Sequence, residues 1–202
     1  MPKEIASRSA LILIVIAQFL GTSLWFAGNV AAPDLELLLG TSGMISWITS
    51  AVQLGFIVGT FLYAFGSIAD RYSPSAVFLY SALLAATFNF LLTILPLSVI
   101  SVIGFRFLVG FFLAGIYPVG MKIASDYYEK GLGSALGFLV GALVLGTAFP
   151  FLIKGLGADF SWKVILWTTS GLAITGGLMV GLFVPNGPFR KANSVFDFGL
   201  FP

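Results

Sequence analysis

The chain has 202 residues, of which 58% are hydrophobic and 9% are charged, and its formal net charge is +2. An ordinary soluble domain carries roughly 25% charged residues, so this composition excludes a soluble core. The chain contains neither Cys nor His, which removes thiol nucleophiles, disulfides and the usual zinc ligands. Its positive residues are scattered over loops rather than gathered in a patch. We therefore expect no metal, no cofactor and no nucleic-acid partner.

Six apolar stretches follow one another along the chain. A helix of about 20 apolar residues crosses the roughly 30 Å hydrocarbon layer, and the runs predict spans at about 9–31, 43–65, 75–95, 98–121, 133–155 and 163–184. Continuous runs such as LILIVIAQFL lack the alternation of a membrane strand. The prediction is an all-α, polytopic membrane protein, with a six-helix bundle over residues 1–188 and the start of a cytoplasmic linker or tail over 189–202.

The distribution of Lys and Arg predicts the orientation, because short cytoplasmic loops carry the excess of positive charge. One side of the predicted bundle collects Lys3, Arg8, Arg71, Lys122, Lys130, Arg190 and Lys191. The other side has Lys154 and Lys163, with Asp34, Glu36 and Asp159 beside them. We therefore expect a multi-pass protein of the cell membrane whose two termini are both cytoplasmic.

A short sequence repeat relates the second span to the fifth. LGFIVG at 54–59 returns as LGFLVG at 136–141, 82 residues later. Three spans separate the copies, and an odd number of crossings inverts the second copy. The match therefore favours two inverted three-helix repeats, an architecture of secondary transporters.

Four glycines in spans 2 and 5 lie at spacings of four: Gly55 and Gly59, and Gly137 and Gly141. Small residues at this spacing let helix backbones approach closely in a membrane. Packing within the bundle is the first explanation. Smooth faces on spans 2 and 5 also suit contact with another bundle, and we predict that these four residues form such a seam.

Polar residues of the first span fall at steps of four, three and four: Gln18, Thr22, Trp25 and Asn29. This spacing predicts one helical face. Because a polar stripe facing lipid is unfavourable, the face is expected to point into the bundle or to line a substrate cavity. Interhelical hydrogen bonds explain Thr22 and Asn29 as well as cavity lining does, and Trp25 is also a candidate interface anchor.

Arg106 lies near mid-depth of the fourth predicted span, ~13 Å from its start at 1.5 Å per residue. An arginine at the bilayer centre costs at least ~2.5–3.5 kcal/mol, and the predicted spans contain no acidic residue to pair with it. Three explanations stay open: hydrogen bonds to carbonyl groups of a neighbouring helix, contact with an anionic substrate, and proton coupling. Tyr117, eleven residues further on, is expected on the same face with a hydroxyl for the same path.

Two segments, GSIADRYSPSAVFL and RFLVGFFLAGIYPVGMKIASDYY, resemble signatures of the major facilitator superfamily. The loop GSIADRYSPSAVFL has Gly66, Asp70 and Arg71 at the spacing of that family's cytoplasmic loop signature. The segment RFLVGFFLAGIYPVGMKIASDYY has Arg106, Gly110 and Ala114 in the arginine–glycine–small pattern of the family's fourth helix. Span 5 is similar to the branch of cyanate and nitrate-type small-solute permeases. The chain departs from the loop signature at residues 73–75, where Ser-Pro-Ser replaces a glycine and basic residues, and span 5 lacks the glycine–proline pair of drug/proton antiporters.

The resemblance implies the N-terminal six-helix half of a transporter, with helices 1 and 4 lining the cavity and Gly66, Asp70 and Arg71 in a gating loop. It implies alternating-access transport of a small solute, which Arg106 suggests is polar and anionic. No nucleophile elbow, phosphate loop or carboxylate pair points to an enzyme. The expected partners are the bilayer, the solute and a second six-helix half, either its own C-terminal half or a second copy. A non-transporting membrane assembly module and half of a drug/proton antiporter are the alternatives.

Overall fold

The computed structural model describes residues 3–128, 131–157 and 160–190, with side chains from residue 9 onward. These ranges contain nine helices and no strand, which confirms the all-α prediction. The helices are α1 (Lys3–Thr22), α2 (Ala27–Leu39), α3 (Met44–Phe65), α4 (Ile68–Arg71), α5 (Pro74–Leu91), α6 (Val99–Leu113), α7 (Tyr117–Ser125), α8 (Leu132–Leu156) and α9 (Trp162–Phe183).

The described helices form six spans that are long and apolar enough to cross a membrane. They are span 1 (Ser9–Leu39), span 2 (Met44–Phe65), span 3 (Pro74–Leu91), span 4 (Val99–Ser125), span 5 (Leu132–Leu156) and span 6 (Trp162–Phe183). Span 1 is longer than the apolar run predicts, because helix α2 continues until Gly40, whose positive φ of 61° ends it. Span 4 likewise continues to Ser125, whereas span 3 ends four residues before the predicted position.

Spans 1 and 4 are each interrupted in the middle. In span 4 the interruption at 114–116 precedes Pro118, which has no N–H to donate and crowds the turn before it. Span 1 is interrupted at 23–26 without a proline in that segment. There the cause lies in span 4, whose Arg106 donates to the carbonyl oxygens of Leu24 and Trp25.

The most extensive contacts between the spans agree with the predicted inverted repeat. Span 1 packs against spans 5 and 6, span 4 packs against spans 2 and 3, and spans 3 and 6 pack against each other. Exchanging span 1 with 4, 2 with 5, and 3 with 6 leaves this set of pairs unchanged. Two triplets related by inversion produce such a set.

The hexapeptide match does not mark the register of this repeat. Gly55, in the first copy, is buried against the backbone of Phe107 in span 4. Its counterpart Gly137 is exposed, and a Cβ added there would meet no atom within 4 Å. The glycine of span 5 that approaches a backbone closely is Gly146, which lies against Phe19 of span 1. The repeat is therefore a repeat of the helix packing, and the residues of the two matching hexapeptides lie on different faces of their helices.

The predicted glycine seam needs a corresponding correction. Gly59, like Gly55, lies against span 4, where an added Cβ would be 3.0 Å from the Cβ of Ala114. These two glycines are occupied inside the bundle and do not belong to a seam with a second bundle. Gly137 and Gly141 are exposed with open space beside them, and their part in a seam stays a prediction.

The hydrophobic core has two parts that meet at the interruption of span 1. The larger cluster includes Leu24, Phe78 and Leu113. The smaller one includes Ala27 and Leu35. Since Leu24 lies in the interruption and Ala27 begins the helix after it, the boundary between the clusters falls at mid-span.

The predicted distribution of charge can be compared with the structure only for charged residues whose side chains are described. Arg71, Lys122 and Arg190 lie around Asp70 at one end of the bundle, which we call the Asp70 end. Several residues used above for orientation or for the predicted linker lie outside the described side chains: Lys3, Arg8, Lys130, Asp159, Lys191 and residues 192–202.

We predict that Gly55→Ala destabilises the protein and that Gly137→Ala does not. The added methyl group at Gly55 would lie 2.8 Å from the carbonyl carbon of Phe107 and 2.9 Å from the amide nitrogen of Phe111. Such backbone atoms have no rotamer to change, and overpacking costs about 1–3 kcal/mol. Thermal denaturation of the detergent-solubilised protein measures the difference. Equal midpoints for the two variants would contradict the close approach of spans 2 and 4.

Candidate functional site

Arg106 lies fully buried at the centre of the bundle. Its Nη2 donates to the carbonyl oxygens of Leu24, at 3.0 Å, and Trp25, at 2.6 Å. Its Nη1 donates to Oδ1 of Asn89 in span 3, at 3.0 Å. The guanidinium therefore connects span 4 to spans 1 and 3.

These hydrogen bonds explain the interruption of span 1. In a continuous α-helix the carbonyl of Trp25 would accept from the N–H of Asn29, but that N–H donates to Phe26 instead, at 3.1 Å. The freed carbonyl accepts from Arg106. Gly28 makes room for this arrangement, because a Cβ added there would lie 2.6 Å from Nε of the arginine.

Asn89 extends the network to span 6. Its Nδ2 is within 3.0 Å of the carbonyl oxygen of Leu166, 3.2 Å of Oγ1 of Thr169 and 3.0 Å of Oγ of Ser170. Sequence reasoning missed this residue because it sought an acidic partner for Arg106. An amide in the middle of an apolar run was the available signal, since its carbonyl oxygen also accepts from a cation.

The energy of this network favours the first of the three explanations for Arg106. Burial of the charge costs at least ~2.5–3.5 kcal/mol. Hydrogen bonds to charged groups contribute about 1.5–3 kcal/mol each, so the three bonds of Arg106 offset that cost without a substrate. The side chain has no exposed surface, and in this conformation a solute does not reach it. The hydrogen bonds of Arg106 therefore favour a structural role for this residue.

The first two polar candidates of span 1 point to different neighbours. Gln18 is fully buried beside Gly120 of span 4, and neither atom of its amide has a hydrogen-bond partner within the described structure. The Thr22 hydroxyl donates to the carbonyl oxygen of Gln18 at 2.7 Å and lies against Gly146 of span 5. Gln18 thus faces span 4, whereas Thr22 faces span 5.

The other two candidates, beyond the interruption, face span 2. The ring of Trp25 packs on Phe56, with centroids 4.7 Å apart. Nδ2 of Asn29 donates to Oγ1 of Thr49 at 2.5 Å, and its Oδ1 is a buried atom without a partner in the described part of the chain. The expectation of one continuous polar face over Gln18 to Asn29 is therefore wrong, because residues 23–26 interrupt the helical periodicity on which it relied.

Tyr117 does not join Arg106. It is the first residue of α7 and is partly exposed, whereas Arg106 belongs to α6. The interruption at 114–116 separates the two helices, so a spacing of eleven residues no longer keeps both side chains on one face. The expected shared path is not present in the described structure.

The predicted gating residues form a compact turn at the Asp70 end. Gly66 follows the last residue of α3, and Ser67 then adopts a positive φ of 48° before the short helix α4. Oδ1 of Asp70 lies 3.5 Å from Nζ of Lys122 in span 4, and the same Nζ donates to Asp126 at 2.6 Å. Asp70 therefore pairs with a basic residue of span 4, while Arg71 is exposed.

The segment after span 6 is attached to this turn. Nη2 of Arg190 donates to the carbonyl oxygens of Asp70, at 3.1 Å, and Tyr72, at 2.7 Å. The hydroxyl of Tyr127 donates to the carbonyl oxygen of Pro185 at 2.6 Å, and burial raises the pKa of that hydroxyl above its ordinary value. The loops after spans 2, 4 and 6 are thereby held together.

A cavity of about 190 Å³ opens beside these ion pairs. It is lined by Thr60, Tyr63, Ala64, Ser67, Ala69, Asp70, Ala114, Pro118, Val119 and Lys122. Its walls come from spans 2 and 4 and the loop after span 2. Within the described residues, no group of His, Cys, Asp or Glu could hold a metal ion, and the charged side chains that line the cavity are those of Asp70 and Lys122.

Comparisons with known proteins agree with this architecture. Residues 14–199 match the Major Facilitator Superfamily. The niacin transporter of Acinetobacter baylyi is 29% identical over 157 residues, which cover 69% of this chain and 34% of that protein. The chain thus spans about a third of the length of that relative. Both likenesses are to transporters and not to enzymes.

We predict that Arg106→Gln lowers the thermal midpoint in the absence of any solute. The shorter amide leaves carbonyl groups of span 1 unpaired, and each buried unsatisfied group costs about 1–3 kcal/mol. The same substitution at the exposed Arg71 serves as the control, with an expected effect within about 0.5 kcal/mol. An Arg106→Gln variant that loses transport but keeps its thermal midpoint would instead favour direct contact with the solute.

Proposed function

Because the chain belongs to the Major Facilitator Superfamily, we propose that it is the N-terminal half of a secondary transporter that moves a small polar, anionic solute by alternating access. The family match over residues 14–199 carries this proposal. The inverted triplets and the interrupted spans 1 and 4 support it, since transporters of this kind build their sites at the repeat interface from discontinuous helices.

The charge of the spans supports an anionic solute. Asp34 and Glu36 lie in the last turns of span 1, and the described spans contain no other carboxylate. A carboxylate solute would therefore meet little repulsion along the central part of the bundle. The similar protein from Acinetobacter is named for niacin, a pyridine carboxylate. Arg106 no longer contributes to this argument, because both of its terminal nitrogens already donate to span 1 and Asn89; only Nε lacks a partner in the described structure.

The ion pairs of the Asp70 end support alternating access. Lys122 lies between Asp70 and Asp126, and pairs at such positions stabilise one arrangement of the helices and break in another. We assign this end to the cytoplasm, with both termini on the same side, because Arg71, Lys122 and Arg190 lie there.

The open faces of spans 2 and 5 support pairing with a second six-helix half. These two spans are the least buried of the six within the bundle. Exposed Gly137 and Gly141 give span 5 a smooth surface for a close helix contact. We propose that the partner is the C-terminal half of the same transporter, or otherwise a second copy.

Transport by the full-length protein in proteoliposomes tests the function. We expect uptake of niacin or another small carboxylate, and competition by related carboxylates. Nicotinamide is the matched control, because it keeps the pyridine ring and replaces the carboxylate with a neutral amide; it is expected to compete at least about tenfold more weakly, which corresponds to about 1.4 kcal/mol. Equal competition by nicotinamide, or no competition by any of a panel of anions, would contradict the anionic solute.

A further inference from the structure

In its first three turns, the exposed surface of span 2 has a polar and an apolar sector; the exposed Ile57, one turn after Gln53 in the same angular range, ends the polar sector. Ser46, Ser50 and Gln53 are exposed, and at 3.6 residues per turn they lie within about 60° of one another around the helix. Leu54 and Val58 are 56% and 40% exposed, and they lie roughly 100–140° from Gln53. Two different environments are therefore expected on the two sides of this helix.

The polar sector is not satisfied within the bundle. The side chains of Ser46, Ser50 and Gln53 make no hydrogen bond to another residue in the described structure. Three exposed threonines in the spans differ, because their hydroxyls donate to the carbonyl four residues earlier: Thr87 at 2.8 Å, Thr168 at 2.8 Å and Thr175 at 2.9 Å. Ser134 is exposed too, but it lies in the first turn of span 5, whereas the polar sector of span 2 extends to its middle. A threonine satisfied in this way tolerates hydrocarbon.

Gln53 cannot face hydrocarbon at the same low cost. It lies nine residues after Met44 in span 2, hence ~14 Å from the start of the helix at 1.5 Å per residue. An amide without a partner in an apolar medium costs several kcal/mol. The polar sector is therefore expected to meet water or a polar partner, whereas the sector of Leu54 and Val58 suits an apolar surrounding, either lipid or the packed second half.

The polar sector adjoins the outer half of span 1. Thr49, beside Ser50, accepts from Nδ2 of Asn29, and Oδ1 of Asn29 has no partner in the described part of the chain. Phe56, one turn after Gln53, packs on Trp25. Unpaired polar atoms of two spans thus lie along one junction.

We infer that Ser46, Ser50 and Gln53 line a water-filled path in the assembled transporter and that Gln53 contacts the solute. The amide of Gln53 supplies two N–H donors and a carbonyl acceptor, which suit a carboxylate and a ring nitrogen. Contact with the solute rests on the proposed function, whereas the presence of water along this sector does not.

Cysteine labelling of the full-length protein tests both parts. Gln53→Cys is compared with Leu54→Cys, its exposed neighbour in the other sector, each in a background without other cysteines; this chain contributes none. A membrane-impermeant sulfonated thiosulfonate reacts with the thiolate, which forms in water and not in hydrocarbon, so we expect Gln53→Cys to react at least about tenfold faster. Added niacin, or another solute shown to be transported, is expected to slow the reaction of Gln53→Cys and to leave Leu54→Cys unchanged.

Each outcome decides one part of the inference. Equally slow labelling of the two variants would overturn the path and indicate that a packed helix covers the sector. Rapid labelling of Gln53→Cys that a transported solute does not slow would overturn the contact. Rapid labelling in a protein that transports no solute would support the path and contradict the proposed function.

Discussion

The shape of span 1 and the packing around it depend on a buried cation that has no carboxylate partner. Arg106 has to be satisfied by neutral oxygens, and the nearest are two backbone carbonyls of span 1 and the amide of Asn89. A carbonyl that accepts from Arg106 is withdrawn from the helical ladder, so span 1 is interrupted where the guanidinium reaches it. Gly28 provides the space for that approach. The hydrogen bonds of Arg106 thus account for the interruption of span 1, for the glycine at position 28 and for the position at which the hydrophobic core divides.

Close backbone contacts supply the rest of the cohesion. Lipid offers no hydrophobic drive between helices, so dispersion and short-range packing have to hold them together. Gly55 and Gly110 let spans 2 and 4 approach until backbone meets backbone, and Gly146 does the same for spans 5 and 1. The polar network crosses spans 1, 3, 4 and 6, whereas the glycine contacts attach spans 2 and 5. This division leaves spans 2 and 5 with the most exposed surface, where a second half is proposed to pack.

The sequence was sufficient for the number and type of the spans, because a membrane helix has to satisfy its own backbone and therefore needs a long apolar run. It was not sufficient for side-chain directions. Gln18 and Asn29 were assigned to one face on the assumption of a continuous helix, and the interruption between them depends on Arg106, which is distant in sequence. The hexapeptide match did not predict the register of the structural repeat for a related reason, since identical residues in two helices do not determine which helix face packs against a neighbour. Asn89 was missed because a single amide in an apolar run, although visible in the sequence, does not indicate which distant residue it pairs with.

Hydrogen–deuterium exchange of span 1 tests the role of Arg106 most directly. The purified protein and its Arg106→Gln variant are compared by mass spectrometry over peptides that cover residues 20–32 and residues 133–145. Loss of the guanidinium is expected to raise exchange in the first region at least about tenfold through local opening and to leave the second unchanged. Unchanged protection over residues 20–32 would show that the interruption of span 1 holds without Arg106 and would contradict the account.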